Sequence, residues 1–301
     1  MILCAGEALI DMLPRQTVEG GSAFAPHAGG SVFNTAIALG RLDRPVQFFS
    51  GLSTDLFGEI LRAELVASKV DHTPANLTDR PTTLAFVTLT DGHASYAFYD
   101  ENTAGRMITP QDLPPVAADA IFFGGISLVV EPCAAAYQAL MLREAPTSVT
   151  MIDPNIRPGF ITDEPAYRAR LAAMFAVADI IKTSDEDLAW ITGGTDANAL
   201  FEGTSVQVIL LTKGAEGVTV LTRDGAVDVP AVRAKVVDTV GAGDTFSAGF
   251  LAELDAQGLL NKATFDSATL ENLSQAAAFG AKVAAITVSR AGANPPWASE
   301  L

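Results

Sequence analysis

Short apolar runs alternate with stretches of helical spacing along most of this chain, which predicts strands that each lead into a helix. Residues 1–8, 46–50, 121–125, 148–153, 178–182 and 206–212 read as buried strands. Helical spacing appears at 55–68, 132–144, 164–175, 184–191, 243–257 and 266–285. A further helix opens near Gly30 or Ser31, with Val32, Phe33, Ala36, Ile37 and Leu39 as its apolar face. Strands alternating with helices imply right-handed crossovers and a mostly parallel sheet covered by helices on both faces, an α/β fold. Two stretches depart from this rhythm. Residues 15–28 are polar and glycine-rich and predict a small hairpin outside the core. Residues 82–90 and 93–99 flank Asp91-Gly92, a two-residue hairpin signal, and are expected to form a flap beside the main sheet. A second hairpin is predicted for 218–221 and 226–229. No repeat or long linker divides the chain, so residues 1–301 are expected to form a single domain.

Composition narrows the function. The 301 residues carry 35 acidic and 19 basic side chains, a net charge of −16 with no Lys/Arg cluster, which argues against nucleic acid as a partner. An anionic substrate meets a repulsive overall field, so any phosphate site must be strongly local or metal-assisted. Mean hydropathy is +0.29, yet no apolar run approaches the ~20 residues of a membrane span. The N-terminus lacks the basic region of a signal peptide, and Cys4 and Cys133 read as reduced core residues. A cytoplasmic protein is expected, with no membrane partner. His27, His72 and His93 are too far apart for zinc-site spacing.

The chemistry concentrates in Asp238-Thr-Val-Gly-Ala-Gly-Asp-Thr-Phe-Ser-Ala-Gly-Phe250. A glycine turn feeding a helix start leaves backbone N–H groups unpaired at the positive end of the helix dipole, an anion site. Asp244 conflicts with that, since a carboxylate repels an anion. It is either a base that takes a proton beside a bound phosphate or an ordinary N-cap aspartate. Asp11, Asp153-Pro-Asn-Ile-Arg157 and Thr212-Lys-Gly-Ala-Glu-Gly217 each follow a predicted strand, where ligands gather in open α/β sheets. The Walker A pattern and the dinucleotide fingerprint are both absent, which argues against a P-loop ATPase and a Rossmann dehydrogenase.

Gly241-Ala-Gly-Asp-Thr-Phe246 with its leading Asp238-Thr-Val resembles the C-terminal signature of the PfkB, or ribokinase-like, carbohydrate kinases. His27-Ala-Gly-Gly-Ser-Val-Phe-Asn-Thr-Ala-Ile-Ala-Leu-Gly40 resembles that family's N-terminal di-glycine signature, and the likeness runs over essentially the whole chain. The resemblance implies a ribokinase-like fold with a small β-sheet lid formed by about 15–28 and 82–99. It implies that Asp244 is the general base, with Gly241, Ala242 and Gly243 forming the anion hole for the transferring phosphoryl group. It places Asp11, Asn34, Phe98 and Arg157 at the sugar, with Gly29 and Gly30 letting the backbone approach. Lys182, Ser184, Thr212, Lys213, Gly214 and Gly217 then belong to the ATP site. Asp187 stands where many members carry a glutamate that organises Mg²⁺. Asp238, Val240 and Gly292 match the region where several members bind K⁺. Two departures are Ser184-Asp-Glu-Asp187, where many members read Asn-x-x-Glu, and Ala281, where many place an asparagine.

Within the family, the 153–157 and 184–188 segments resemble the fructokinase and 2-keto-3-deoxygluconate kinase branch. Fructose phosphorylated at its 6-hydroxyl is the first expectation and the keto-acid the alternative. Arg157 either binds a substrate carboxylate or pairs with a neighbouring acid. The aromatics of 96–99 either stack on the sugar or pack the lid strands together. Two other classes stay open, a non-catalytic sugar-binding protein and a phosphomethylpyrimidine- or pyridoxal-type kinase. The lid-like strands at 82–99 speak against the kinases of that second class. Relatives often dimerise through the lid sheet, so the resemblance also implies a homodimer.

Overall fold

The computed structural model describes the backbone of residues 1–90 and 93–301 and the side chains of 1–87 and 97–301. The predicted Asp91-Gly92 turn and the Tyr96 ring lie outside these described residues. In chain order the strands are β1 (Ile2–Ala5), β2 (Leu9–Gln16), β3 (Ser22–Gly29), β4 (Val46–Phe49), β5 (Gly51–Ser53), β6 (Asn76–Thr78) and β7 (Leu84–Thr90). There follow β8 (His93–Tyr99), β9 (Ala120–Gly124), β10 (Val149–Asp153), β11 (Ile180–Ser184), β12 (Val208–Thr212), β13 (Val218–Thr222) and β14 (Gly225–Val229). The α-helices are α1 (Ser31–Arg41), α2 (Leu56–Ala67), α3 (Cys133–Glu144), α4 (Glu164–Phe175), α5 (Asp185–Thr192), α6 (Ala242–Ala256) and α7 (Leu270–Val288).

Eight strands form the main sheet in the order β14-β13-β12-β11-β10-β9-β1-β4. It is parallel from β4 through β12, and the β13–β14 hairpin closes one edge in antiparallel fashion. The strands are apolar at nearly every position because both faces are covered, and successive side chains go to opposite faces. Ile2, Cys4, Phe122, Met151, Ile180 and Leu210 join one core, shared with α1, α6 and α7. Leu3, Ala5, Phe123, Ile152, Ile181 and Ile209 join the other, shared with α3 and α4. A β-carbon on Gly249 would stand 2.7 Å from the Gly280 Cα, so α6 and α7 meet through two bare backbones.

A second sheet of four strands, β3-β2-β7-β8, stands apart from the first. Residues 82–99 contribute β7 and β8 to it, as their alternation predicts. The first predicted strand is the main departure. It ends at Ala5, and residues from Leu9 onward run in a different strand of the small sheet. Asp11 is therefore not beyond the end of a main-sheet strand but inside β2, paired with His27 on one side and Ala85 on the other. Gly6, Glu7 and Ala8 carry the chain between the two sheets. Among the described residues, no helix is long and apolar enough to cross a membrane.

Candidate active site

The site is built where the small sheet faces the carboxyl ends of β1, β9, β10 and β11, and where α1 and α6 begin. A cavity of about 330 Å³ lies there, lined among others by Asp11, Asn34, Phe98, Arg157, Lys182 and Asp244. Residues far apart in sequence thus meet at one place.

Helix α6 starts at Ala242, with Gly241 as N-cap in the left-handed region at φ 77°. A β-carbon on residue 241 would come within 2.6 Å of Ala293 Cβ, so glycine is needed there for both conformation and space. Asp244 is the third residue of the helix, and the N-cap alternative is excluded. Its carboxylate reaches across to α1 instead. Ser31 Oγ donates to Oδ1 at 2.8 Å and Asn34 Nδ2 donates to Oδ2 at 2.9 Å. Burial raises the Asp244 carboxyl above the ordinary carboxylate range, against the opposing pull of those two donors. A buried, oriented carboxylate of raised basicity is suited to taking a proton.

The amides of Gly243 and Asp244 lie in the first helical turn and have no carbonyl partner among the described residues. Lys182 adds a positive charge beside them. The register pairing Ile152 with Ile181 sets Asp153 next to Lys182, whose Nζ lies 2.6 Å from Asp153 Oδ2, both groups buried. Burial pushes the Lys182 ammonium down, but Asp153, with Asp244 and Asp187 nearby, more than reverses this and holds it above its usual range. Free amides, a helix N-terminus and a buried cation fit the phosphates of a nucleotide.

On the opposite side of the cavity, Asp11 sits in β2 one row from Gly29, whose missing side chain leaves room for the Asp11 carboxylate. Burial, and then the negative charge of Asp244, push Asp11 up to about 6. Ala85 links it laterally to Phe98. The Phe98 ring lines the cavity and meets Phe160 edge-on at 4.8 Å between centroids. Tyr99 points away, 63% exposed, against Phe86. Arg157 forms no ion pair among the described residues; its Nη1 donates to the carbonyls of Asn155 and Ile156.

Several residues assigned to the nucleotide stand outside this cavity but on the same sheet edge. Ser184 caps α5 through the Asp187 amide, and the Asp187 carboxylate accepts from the Ile156 amide at 3.2 Å. Burial, and then Asp153, raise Asp187. Thr212 ends β12, and Lys213 to Gly217 form a turn closed by the Lys213 amide on the Gly217 carbonyl at 2.8 Å. The Asp238 carboxylate joins two loops, accepting from the Val240 amide at 3.1 Å and the Gly292 amide at 2.9 Å. Among the described residues, no group of three or more His, Cys, Asp or Glu side chains is arranged to hold a metal ion.

Three participants escaped the sequence reading. Ser31 directly follows the di-glycine pair and donates to Asp244. Asn155 lines the cavity with φ 44°. Glu7 lines it from the crossing between the sheets. A lone carboxylate between apolar runs was the only signal for Glu7, and strand-end acids are common.

Residues 1–300 match the pfkB family carbohydrate kinases. A fructokinase from Rhizobium leguminosarum bv. trifolii is 54% identical, over 90% of this chain and 86% of its own. Fructokinase-2 of Solanum lycopersicum is 33% identical, over 100% and 94%. The crystal structure of a fructokinase with bound ATP from Xylella fastidiosa superposes with a TM-score of 0.89 at 32% identity, over 97% of this chain and 93% of that one. With the unpartnered amides of α6, the buried carboxylate and the two-sheet architecture already in place, these likenesses make the chain a member of the pfkB family of carbohydrate kinases, an enzyme of the ribokinase-like fold.

Proposed function

We propose that this enzyme transfers the γ-phosphoryl group of ATP to the 6-hydroxyl of fructose, with Asp244 as general base. The observation that carries this reading is the position of Asp244. Its carboxylate shares one cavity with the free amides of α6 and with Asp11 and Asn34. Asp244 takes the hydroxyl proton as the sugar oxygen bonds to phosphorus and the bond to the ADP oxygen breaks. The amides of Gly241, Gly243 and Asp244 and the Lys182 ammonium stabilise charge on the transferring group, while the Ala242 amide donates to the Thr239 carbonyl at 3.3 Å. Asp11 and Asn34 hold sugar hydroxyls, while Phe98 offers an apolar face. Ser184, Thr212, Lys213, Gly214 and Gly217 border the nucleotide. Mg²⁺, when bound, would neutralise phosphate charge, and Asp187 would help hold it. Asp238, Val240 and Gly292 would hold K⁺.

Fructose is favoured over 2-keto-3-deoxygluconate on electrostatic grounds. Glu7, Asp11 and Asp244 all line the cavity and, when ionised, repel an anionic acceptor, whereas a neutral polyol donates its hydroxyl hydrogens to the same carboxylates. Arg157 favours the keto-acid, but part of its guanidinium is engaged by its own backbone.

The whole chain acts as one catalytic unit in this reading, with the small sheet as a lid over the sugar. The outer face of that sheet carries Phe24, Phe86 and Tyr99 in edge-on contact, with Phe24 44% and Tyr99 63% exposed. An apolar patch of that kind supports a homodimer. A cytoplasmic location agrees with the two free cysteines. The deciding experiment is a coupled ADP-release assay with fructose, 2-keto-3-deoxygluconate, ribose, tagatose and adenosine side by side. Fructose is expected to give the highest kcat/KM. Preference for the keto-acid reverses the substrate choice, and no turnover with any acceptor leaves only a sugar-binding protein.

A further inference from the structure

Glu7 is 8% exposed, and among the described residues no basic side chain pairs with it. Its carboxylate is held by backbone. The Ser31 amide donates to Oε1 at 2.9 Å and the Ser127 amide to Oε2 at 3.4 Å. Helix α1 has no side-chain cap of its own, because its N-cap is Gly30. Glu7 supplies that cap from outside the helix. Both neighbouring glycines are shaped around it. Gly30 has φ 110° and a β-carbon there would lie 2.9 Å from the Glu7 carbonyl, while a β-carbon on Gly125, at φ 67°, would collide with the carboxylate. The Tyr137 hydroxyl fixes the preceding residue by donating to the Gly6 carbonyl at 3.2 Å.

Ser31 carries this constraint onward. Its amide is held by Glu7, and its hydroxyl donates to Asp244 Oδ1 at 2.8 Å. We propose that Glu7 is a positioning residue for phosphoryl transfer, whose carboxylate pins the first turn of α1 and so orients Asp244 through the Ser31 hydroxyl. This rests on Asp244 being the base.

An ionised acceptor holds an amide about twice as strongly as a neutral one, so the pin is tightest when Glu7 is charged. Burial first, and also the charge of Asp244, push Glu7 up to about 7, against hydrogen bonds from its own amide and from Ser127. The groups facing it are Asp244 on α6, Cys133 and Tyr137 on α3, and Tyr167 on α4. Asp100 and Arg106 face it across a small neighbouring cavity, and Asp11, Arg157 and Lys182 across the main one. Burial raises Cys133, Tyr137 and Tyr167, which stay neutral near pH 7.

The test is kcat against pH, at saturating fructose and ATP, for the wild type, Glu7→Gln, Ser31→Ala, their double variant and Asp244→Asn. The wild type should show an acid limb near pH 7. Glu7→Gln should lose about tenfold in kcat, with KM for fructose and ATP within about threefold, and should lose that limb. Ser31→Ala should flatten the same limb by cutting the link, which keeps the proposal testable even if Glu7→Gln does not fold. The double variant should be no worse than the poorer single one, the mark of two residues acting in series. An acid limb unchanged in Ser31→Ala, additive losses, or a Glu7→Gln effect confined to KM for fructose overturns the proposal. Asp244→Asn separates the two readings. If it turns over normally, the base assignment falls; if it is inactive while Glu7→Gln matches the wild type, only the role of Glu7 falls.

Discussion

Lys182 Nζ stands directly against Gly243: a β-carbon at residue 243 would lie 2.9 Å from it, while the same ammonium is held 2.6 Å from Asp153 Oδ2. The bare glycine therefore lets a buried ion pair approach the first turn of α6. Gly243→Ala must displace Nζ, and the open side is the cavity that Lys182 lines, where the phosphates are expected to bind. The substitution is expected to lower kcat by about tenfold or more through misplaced phosphate-binding groups. Removing the cation is a harsher change. Lys182→Met leaves Asp153 buried without a counter-charge and should cost about 3–5 kcal/mol of stability, while Lys182→Met with Asp153→Leu should recover most of it. Urea denaturation reads both. A single variant as stable as the wild type would show that the pair is not what holds these strand ends.

Asp244→Ala is expected to reduce kcat by about 10²–10⁴-fold while nucleotide still binds. The carboxylate is held by side chains of α1, and its removal leaves in place the α6 amides proposed to bind the phosphates. Single-turnover kinetics with calorimetry of ATP binding separate the two effects. Near-normal turnover refutes the base assignment.

Stability should respond to pH in the opposite sense to that of a salt-bridged protein. Glu7 is raised from 4.5 to about 7 and Asp11 from 3.8 to about 6, each chiefly by burial. Between the ordinary and the raised values, the folded state binds more protons than the unfolded one. Stability is therefore lost as pH rises through that window and regained as pH falls from about 7.5 to 5.5. Glu7 alone contributes at most on the order of 3 kcal/mol. Melting temperatures of the ligand-free protein at the two pH values check the sign, and Glu7→Gln should flatten the slope. A lower melting temperature at pH 5.5 would contradict it.

Replacing K⁺ by a bulky organic cation should slow the enzyme severalfold if Asp238 and the loop at Gly292 hold a monovalent ion near the α6 turn. The carboxylate already ties the Val240 and Gly292 amides together, so ion binding there would stiffen the anion hole. Identical rates in the two salts remove the site.

Lid closure should appear in amide exchange. Asp11 and Phe98 reach the cavity from the small sheet, so bound fructose is expected to slow exchange across Leu84–Thr90. Exchange unaffected by the sugar would make the sheet a fixed wall. Light scattering in the same buffer reads the homodimer expected from the exposed Phe24 and Tyr99 face, and a monomer would leave that face without its proposed partner.

Periodicity was enough to outline the α/β layering, because a strand buried on both faces and a helix buried on one write different spacings into the chain. The helix at Glu164–Phe175 and the separate sheet containing Leu84–Thr90 were legible in this way. So was the glycine turn that opens α6, since Gly241-Ala-Gly-Asp244 is contiguous and the turn is a backbone feature. Asp11 was misplaced because nothing local marks where one apolar strand ends and the next begins; Gly6, Glu7 and Ala8 cross between sheets without a turn signal.

Local sequence thus determined which backbone is helix, which is strand and where a helix start leaves its amides unpartnered. Only the tertiary structure decided what accompanies Asp244. Ser31 and Asn34 lie 213 and 210 positions away from it, and Lys182 finds Asp153 across 29. Such pairings arise from strand order and register, which side-chain spacing along one strand does not encode. The stretch around Asp244 therefore announces a glycine turn, a helix start and a carboxylate, whereas the charge and orientation of that carboxylate belong to residues brought there by the fold.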